Sequence, residues 1–255
     1  MLTFTDAQLA GWIAPLLWPF LRALALFTAM PVLGTRTVPA RVRIALAAFI
    51  ALAAQASLPA LPPEALDLGG PALLPLVAQQ VVIGLTMGFA VRLVFAAVEF
   101  AGEIAGLQMG LNFAGFFDPI SAGTATATSR FFGTMVAWLF IVGGGHLLVI
   151  AALAQSFTVF PVGPEPFAFL REMRPERWGA EIFSTGLWIA LPLVTMLLFV
   201  NLVLGAISRV APQINVFAVG FPITLGVGLV GLFLTLPALE MPFATTLARL
   251  LDQFR

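Results

Sequence analysis

Apolar residues in this chain run in long unbroken blocks and neither alternate nor recur on a single helical face. Six blocks stand out: Leu9–Leu33, Ile44–Leu61, Leu73–Val98, Phe131–Val159, Ile182–Ile207 and Val216–Leu239. A helix needs about 20 residues to cross the hydrocarbon of a bilayer; most of the blocks reach that length and the second is marginal. Backbone in lipid must satisfy its own hydrogen bonds, so helices are the predicted form. The expected fold is all-α, with multi-pass, kinked apolar helices paired in hairpins and about six membrane-type segments. It forms a single helical membrane domain over residues 1–255, with no separate soluble domain. Pro15, Pro19, Pro31, Pro192 and Pro222 fall inside the blocks. Each removes a backbone donor and invites a kink, which is tolerated where neighbouring protein satisfies the freed carbonyls.

Composition moves in the same direction. Of 255 residues 60% are hydrophobic and 9% charged, against roughly 45–50% and 25% in soluble domains; the mean hydropathy is +1.04. The twelve basic residues are all Arg, and twelve acids balance them, so no electrostatic case exists for a nucleic-acid partner. With no Cys and no Tyr, disulfides, thiolate nucleophiles and Cys-bound metals are excluded. A cleavable signal needs a basic stretch before its apolar core. Here Asp6 is the first charge and Arg22 lies inside the apolar run, so the N-terminus reads as the first helix of the mature chain.

The polar connections carry little charge. Gly34–Arg43 holds Arg36, Arg41 and Arg43, Pro62–Pro71 holds Glu64 and Asp67, and Gly163–Glu181 mixes three Arg with four Glu. Alternating sides from the first connection onward makes the Arg totals tie, so the positive-inside rule yields no orientation. Two explanations stay open: a different number of helices, or segments that do not cross the bilayer in the ordinary way.

Candidate chemistry is sparse. His146, after three glycines, is the only imidazole, and no nucleophile elbow or phosphate loop is present. The reading is therefore not an enzyme, with no cofactor and no metal. Arg92, Glu99 and Glu103 are seven and eleven residues apart, within about 20° on one helical face. Either that face is buried against protein or water, or the helix has left the membrane by Glu99. Gly102, Gly106 and Gly110 follow at four-residue spacing, a small-residue ridge for close helix approach. In Leu111–Pro119, Gly115, Asp118 and Pro119 argue for broken helix. Phe113, Phe116 and Phe117 suit an apolar constriction or the anchors of a re-entrant turn. Arg209, Pro212, Gln213 and Asn215, between two apolar blocks, read as the polar, hydrogen-bonded tip of a helical hairpin.

The run Arg209-Val210-Ala211-Pro212-Gln213-Ile214-Asn215-Val216-Phe217, continuing to Gly220-Phe221-Pro222, resembles the FliR/SctT family of type III protein export gates, closest to its flagellar FliR branch. Gly106–Pro119 and the series Gly145-His146, Ser156-Phe157, Pro161-Val162-Gly163 resemble it too, in the same order along nearly the whole chain. Thr224 departs from it, since relatives often carry a basic residue after Gly-Phe-Pro. The resemblance implies a subunit of the flagellar export apparatus in the bacterial inner membrane, at the basal body. The implied partners are FliP-type and FliQ-type subunits in a narrow-pored complex, alongside FlhB-type and FlhA-type subunits, with unfolded export substrates passing through. It implies that Gly106–Pro119 is a plug loop inside the closed pore, with Gly110, Phe113, Gly115, Phe116, Phe117, Asp118 and Pro119 as its residues, and that many of the apolar helices are hairpins lifted out of the bilayer and packed on sibling subunits. A small-solute transporter or channel is the rival class; it usually shows internal repeats, and none is visible here.

Overall fold

The computed structural model describes residues 6–55, 58–111, 126–163, 168–213 and 216–255. Among them there is no strand, and eight helices exceed ten residues. In chain order these are α1 (Asp6–Ala29), α2 (Ala40–Ala54), α3 (Leu73–Gln108), α4 (Ala127–Val142), α5 (Gly145–Val159), α6 (Gly179–Val210), α7 (Val216–Thr235) and α8 (Glu240–Leu251). Among the described residues four segments are long and apolar enough to cross a membrane: Ala10–Ala29 of α1, α3, α6 and the run Ala218–Phe254; α4 and α5, bent by 64° at their break, would be a fifth if taken as one span. The second expected block differs most. Pro59, Pro62 and Pro63 cannot donate to a helix, and α2 stops at Ala54 after 15 residues. The fourth block divides at Gly143 and Gly144, where Gly144 takes a left-handed φ of 72° that disfavours any side chain.

Contacts group into two compact units. The first holds residues 1–93, 144–178 and 247–255. α2 lies along α1 through a stripe of small residues, Ala47, Ala51 and Ala54, which are its buried positions. Gly84 and Gly88 bring α3 against the α1 backbone. A Cβ at Gly84 would stand 2.8 Å from the Ala25 Cβ, and one at Gly88 would stand 2.8 Å from the Leu26 carbonyl oxygen.

That close approach delivers Arg22 to Gln80, one turn earlier on α3. Arg22 is completely buried. Its Nε donates to Gln80 Oε1 at 2.8 Å, Nη1 to the Ser156 carbonyl and hydroxyl oxygens at 2.9 Å each, and Nη2 to the Phe160 carbonyl at 2.8 Å. The guanidinium carbon sits 3.8 Å over the Phe157 ring. The two carbonyls belong to the end of α5, where the helix dipole is negative; the Ser156 carbonyl also accepts the Phe160 N–H at 2.9 Å. A cation without a carboxylate is thus compensated by dipoles and a ring face. Gln80 in turn donates to Gln79 Oε1 at 2.9 Å, and Gln79 accepts the Gly163 backbone N–H at 3.1 Å. Nearby, Phe254 is fully buried, edge-on to Phe160 and Trp178.

The second unit holds residues 94–143 and 179–246. Gly186 lets α6 touch α3, since a Cβ there would meet the Ala97 carbonyl at 2.7 Å. Phe100 and Phe183 pack edge to face beside it at 5.4 Å. α7 returns along α6, with Gly231 facing Leu193 and Met196. Pro192 inside α6 removes the donor that would reach the Trp188 carbonyl. A cavity of about 220 Å³ opens beside it, lined among others by Ala101, Ala105, Phe132 and Pro242.

Arg22→Lys keeps the charge but cannot reach acceptors on α3 and α5 together, because an ammonium lacks the planar fork. Two or more buried acceptors then lose their partner, at about 1–3 kcal/mol each. The expected outcome is a lowered thermal midpoint in mild detergent, with limited proteolysis cutting first near Phe160–Gly163.

Candidate functional site

Two ends of one connection meet in the second unit. α3 finishes in its ridge of glycines, and α4 begins at Thr126 after a connection whose residues 112–125 lie outside those described. Phe113, Gly115, Phe116, Phe117, Asp118 and Pro119 all fall in that stretch. Asn215 of the hairpin tip also lies outside the described residues.

The outgoing end is closed in the manner typical of helix C-termini. The Met109 N–H donates to the Ala105 carbonyl at 3.0 Å and the Gly110 N–H to the Leu107 carbonyl at 3.1 Å. Gly110 has φ 77°, the left-handed conformation in which glycine carries no Cβ penalty. Met109, fully buried, fills the space that a side chain at Gly228 of α7 would need.

The returning end is capped. Thr126 accepts the Ser129 N–H at 3.2 Å as the N-cap of α4. Its hydroxyl donates to Glu103 Oε2 at 2.5 Å, and the Thr128 hydroxyl stands 3.1 Å away. Ser129 Oγ donates to the Glu99 carbonyl at 3.2 Å. The Gly ridge makes this reach possible. A Cβ at Gly102 would stand 2.9 Å from both Ser129 Cα and the Thr128 carbonyl, which are backbone atoms that cannot move aside. Sequence spacing anticipates Gly102, Gly106 and Gly110, and the structure places the first two against α4 of the same chain.

The remaining expected residues are placed unevenly. Glu103 is half-buried and held by Thr126, whereas Arg92 and Glu99 are exposed in the isolated chain. The three share a helical face but not a common burial, although α4 reaches Glu99 as well, where a Cβ at Gly133 would stand 3.0 Å from Glu99 Oε1. At the hairpin, α6 ends at Val210 and a turn at Pro212 and Gln213 leads to α7. Arg209, Pro212 and Gln213 are exposed. Neither the Arg209 nor the Gln213 side chain is paired with another described residue, and Asn215, the third polar group of the expected tip, lies outside them. Thr224 is buried and bonds to the Gly220 and Phe221 carbonyls of its own helix. Among the described residues no three His, Cys, Asp or Glu converge on a point. The Arg22 cluster was not foreseen, although an Arg inside an apolar block and two adjacent amides, Gln79 and Gln80, were its visible signals.

A charge-poor chain, all-helical among the described residues, with several helices long and apolar enough to cross a membrane and polar groups that serve helix ends and packing, defines a membrane protein. Residues 13–250 match the family described as "Bacterial export proteins, family 1", and the chain belongs to that family. Among its relatives is "Flagellar biosynthetic protein FliR" of Pectobacterium carotovorum subsp. carotovorum, 42% identical over 96% of this chain and 92% of the relative. The protein of the same name from Escherichia coli (strain K12) is 42% identical over 95% and 92%. That from Caulobacter vibrioides is 31% identical over 92% and 93%.

In the cysteine-free chain, Gly106→Cys with Thr128→Cys tests this junction. A Cβ at Gly106 would stand 3.5 Å from the Thr128 Cβ, at the short end of disulfide separations. Mild oxidation should give an intrachain disulfide in high yield. Gly102→Leu should cut that yield, because overpacking against backbone separates the helices.

Proposed function

We propose that this chain is the FliR-type subunit of a flagellar type III protein export gate, seated in the bacterial inner membrane at the basal body. The observation that carries the reading is end-to-end relatedness to proteins named flagellar biosynthetic protein FliR, across a chain of kinked apolar helices. Its work is to form part of a gated pore for unfolded proteins. No bond is made or broken by its own side chains. FliP-type and FliQ-type subunits complete the pore, and FlhB-type and FlhA-type subunits stand alongside.

Several features support an assembled state. α6 is apolar along its length, yet only 22% of its central window is buried within the chain, against 67% for α3. Arg92 is exposed on an apolar helix, where charge is costly unless water or protein meets it. The Gly110 and Thr126 ends fix the take-off points of the connection that carries Phe113, Phe116 and Phe117. On this reading that connection is the plug. A conduit wide enough for an unfolded chain has to exclude ions when idle, and apolar constrictions do so by dewetting. Gly115 supplies backbone freedom beside the rings, and Asp118-Pro119 terminates the segment.

Changing Phe113, Phe116 and Phe117 together to Ala should leave the gate assembled but leaky, read as ion flux across cells expressing the variant. Normal permeability with assembly verified would place the seal elsewhere.

Pro212→Ala with Gln213→Leu should impair co-purification with the FliP-type and FliQ-type subunits and abolish motility, while membrane insertion stays normal. Insertion depends on the flanking apolar helices, and the tip supplies turn geometry and unpaired amide groups. Full motility of the double variant would make the tip a passive loop.

A further inference from the structure

We propose that Asn201 and Gly205 of α6 form a docking notch for an apolar helix of another gate subunit, one that presents a hydrogen-bonding side chain at the level of Asn201. This rests on the reading of the chain as a subunit of a hetero-oligomer. Asn201 lies in the run Leu197–Ile207, where every other residue is apolar. The nearest charge, Arg209, is eight residues on, about 12 Å along the axis at 1.5 Å per residue. The Asn201 side chain is exposed. It makes no hydrogen bond to another described residue, unlike Arg22 or Thr126, which the fold satisfies internally.

A primary amide has two donors and two acceptor lone pairs. Left toward hydrocarbon they go unmade, and such groups in apolar helices ordinarily bond across to a neighbouring helix. Gly205, one turn further, marks where that neighbour comes close. It is exposed, and a Cβ built there would meet nothing within 4 Å, so the space over its backbone is vacant. At 100° per residue Asn201 and Gly205 differ by about 40° around the helix and share a face with Leu198. Leu198 and Leu202 are exposed, at 53% and 69%, and provide an apolar rim. The adjoining face, on the other side of Asn201, is already engaged: Leu197, about 40° away, and Leu193 are buried, and Gly186 packs on α3. Alternation of the two sides makes α6 a helix with one face for its own chain and one for a partner. Lipid fits the rim but not the amide. Water would fit the amide but not Leu198 and Leu202.

The test uses the full chain co-expressed with its FliP-type and FliQ-type partners. Asn201→Leu should reduce the partners recovered per chain by about threefold to tenfold, the range expected for one hydrogen bond between helices in lipid. The amount of chain in the membrane should stay constant, because Asn201 bonds nothing within it. Asn201→Gln, which keeps the amide, should restore part of the loss, and Gly205→Leu should reproduce it. A photo-activated benzophenone residue at Leu198 should yield an adduct with another subunit in the otherwise unchanged chain. Unaltered recovery with Asn201→Leu would overturn the proposal. So would adducts formed only with lipid or with a second copy of this chain, or labelling of Asn201→Cys in the complex by a membrane-impermeant maleimide. If the unchanged chain recovers no partners at all, the hetero-oligomer reading fails instead. Should Asn201→Leu lower the level of chain itself, the adduct at Leu198 still decides.

Discussion

A guanidinium sealed inside apolar packing has to be neutralised by something, and around Arg22 there is no carboxylate to do it. The carbonyls that close α5, the amide of Gln80 and the face of Phe157 supply the compensation. The arrangement of the first unit follows from that requirement. α5 must direct its C-terminal end at α1, because there its last carbonyls gather at the negative end of the dipole. α3 must press against α1 closely enough for Gln80 to reach, which is why Gly84 and Gly88 stand where a methyl group would collide with α1. The turn after α5 is drawn in as well, through Gln79 and the Gly163 N–H. In a chain with 9% charged residues, one cation organises three helices by hydrogen bonds to dipoles. Removing it would strand acceptors on α3 and at the end of α5.

The second unit meets the same need at helix ends with smaller groups. Where α3 stops, Gly110 turns left-handed and the last amides find carbonyls. Where α4 starts, Thr126 caps it and hands its own proton to Glu103. Both ends of the connection are therefore stationary relative to each other, set by backbone-to-backbone packing at Gly102. Together the two ends form the base of the connection. Glu103, read from spacing as one of three charges on a polar face, is better understood as the acceptor that completes this base.

Much of this was legible before any coordinates. Pro212 marks the break between two apolar blocks where a helix ends, because a missing donor acts locally; Pro59 and Gly143-Gly144 act in the same way but lie inside blocks read as continuous, so the helix ends at Ala54 and Val142 were not foreseen. The ridge at Gly102 and Gly106 is a spacing of four, and so is Gly84 with Gly88, which the same rule would have found. Arg22 was different. Its acceptors lie 58, 134 and 138 residues away, and no local pattern links them. The helix α8 was missed for another reason. Glu240, Arg249 and Asp252 end the apolar block at Leu239, yet Phe243, Leu247, Leu250, Leu251 and Phe254 are buried at the three- and four-residue intervals of an amphipathic helix. A search for continuous apolar length passes over a helix with only one apolar face.

Polar groups in an apolar chain sort its surfaces more sharply than hydrophobicity does. In water, an exposed face such as that of Phe183, Leu187, Leu198, Phe199 and Leu202 would by itself call for a partner. In a bilayer it does not, since lipid tails solvate leucine as well as leucine does. What lipid cannot solvate is an amide or a charge. Arg22, Gln79, Gln80, Thr126 and Glu103 have their partners within the chain and mark where the fold is complete. Asn201, and Arg92 on α3, have none among the described residues and mark where it is not. These two sets fall on different surfaces. α3, two thirds of whose central window is buried, carries most of the satisfied groups, and α6 carries the clearest unsatisfied one. A subunit that reached its final state alone in lipid would have little reason to keep an amide in the middle of its least buried helix. One that is finished by neighbouring helices has a direct use for it, as the point at which the correct neighbour is distinguished from lipid.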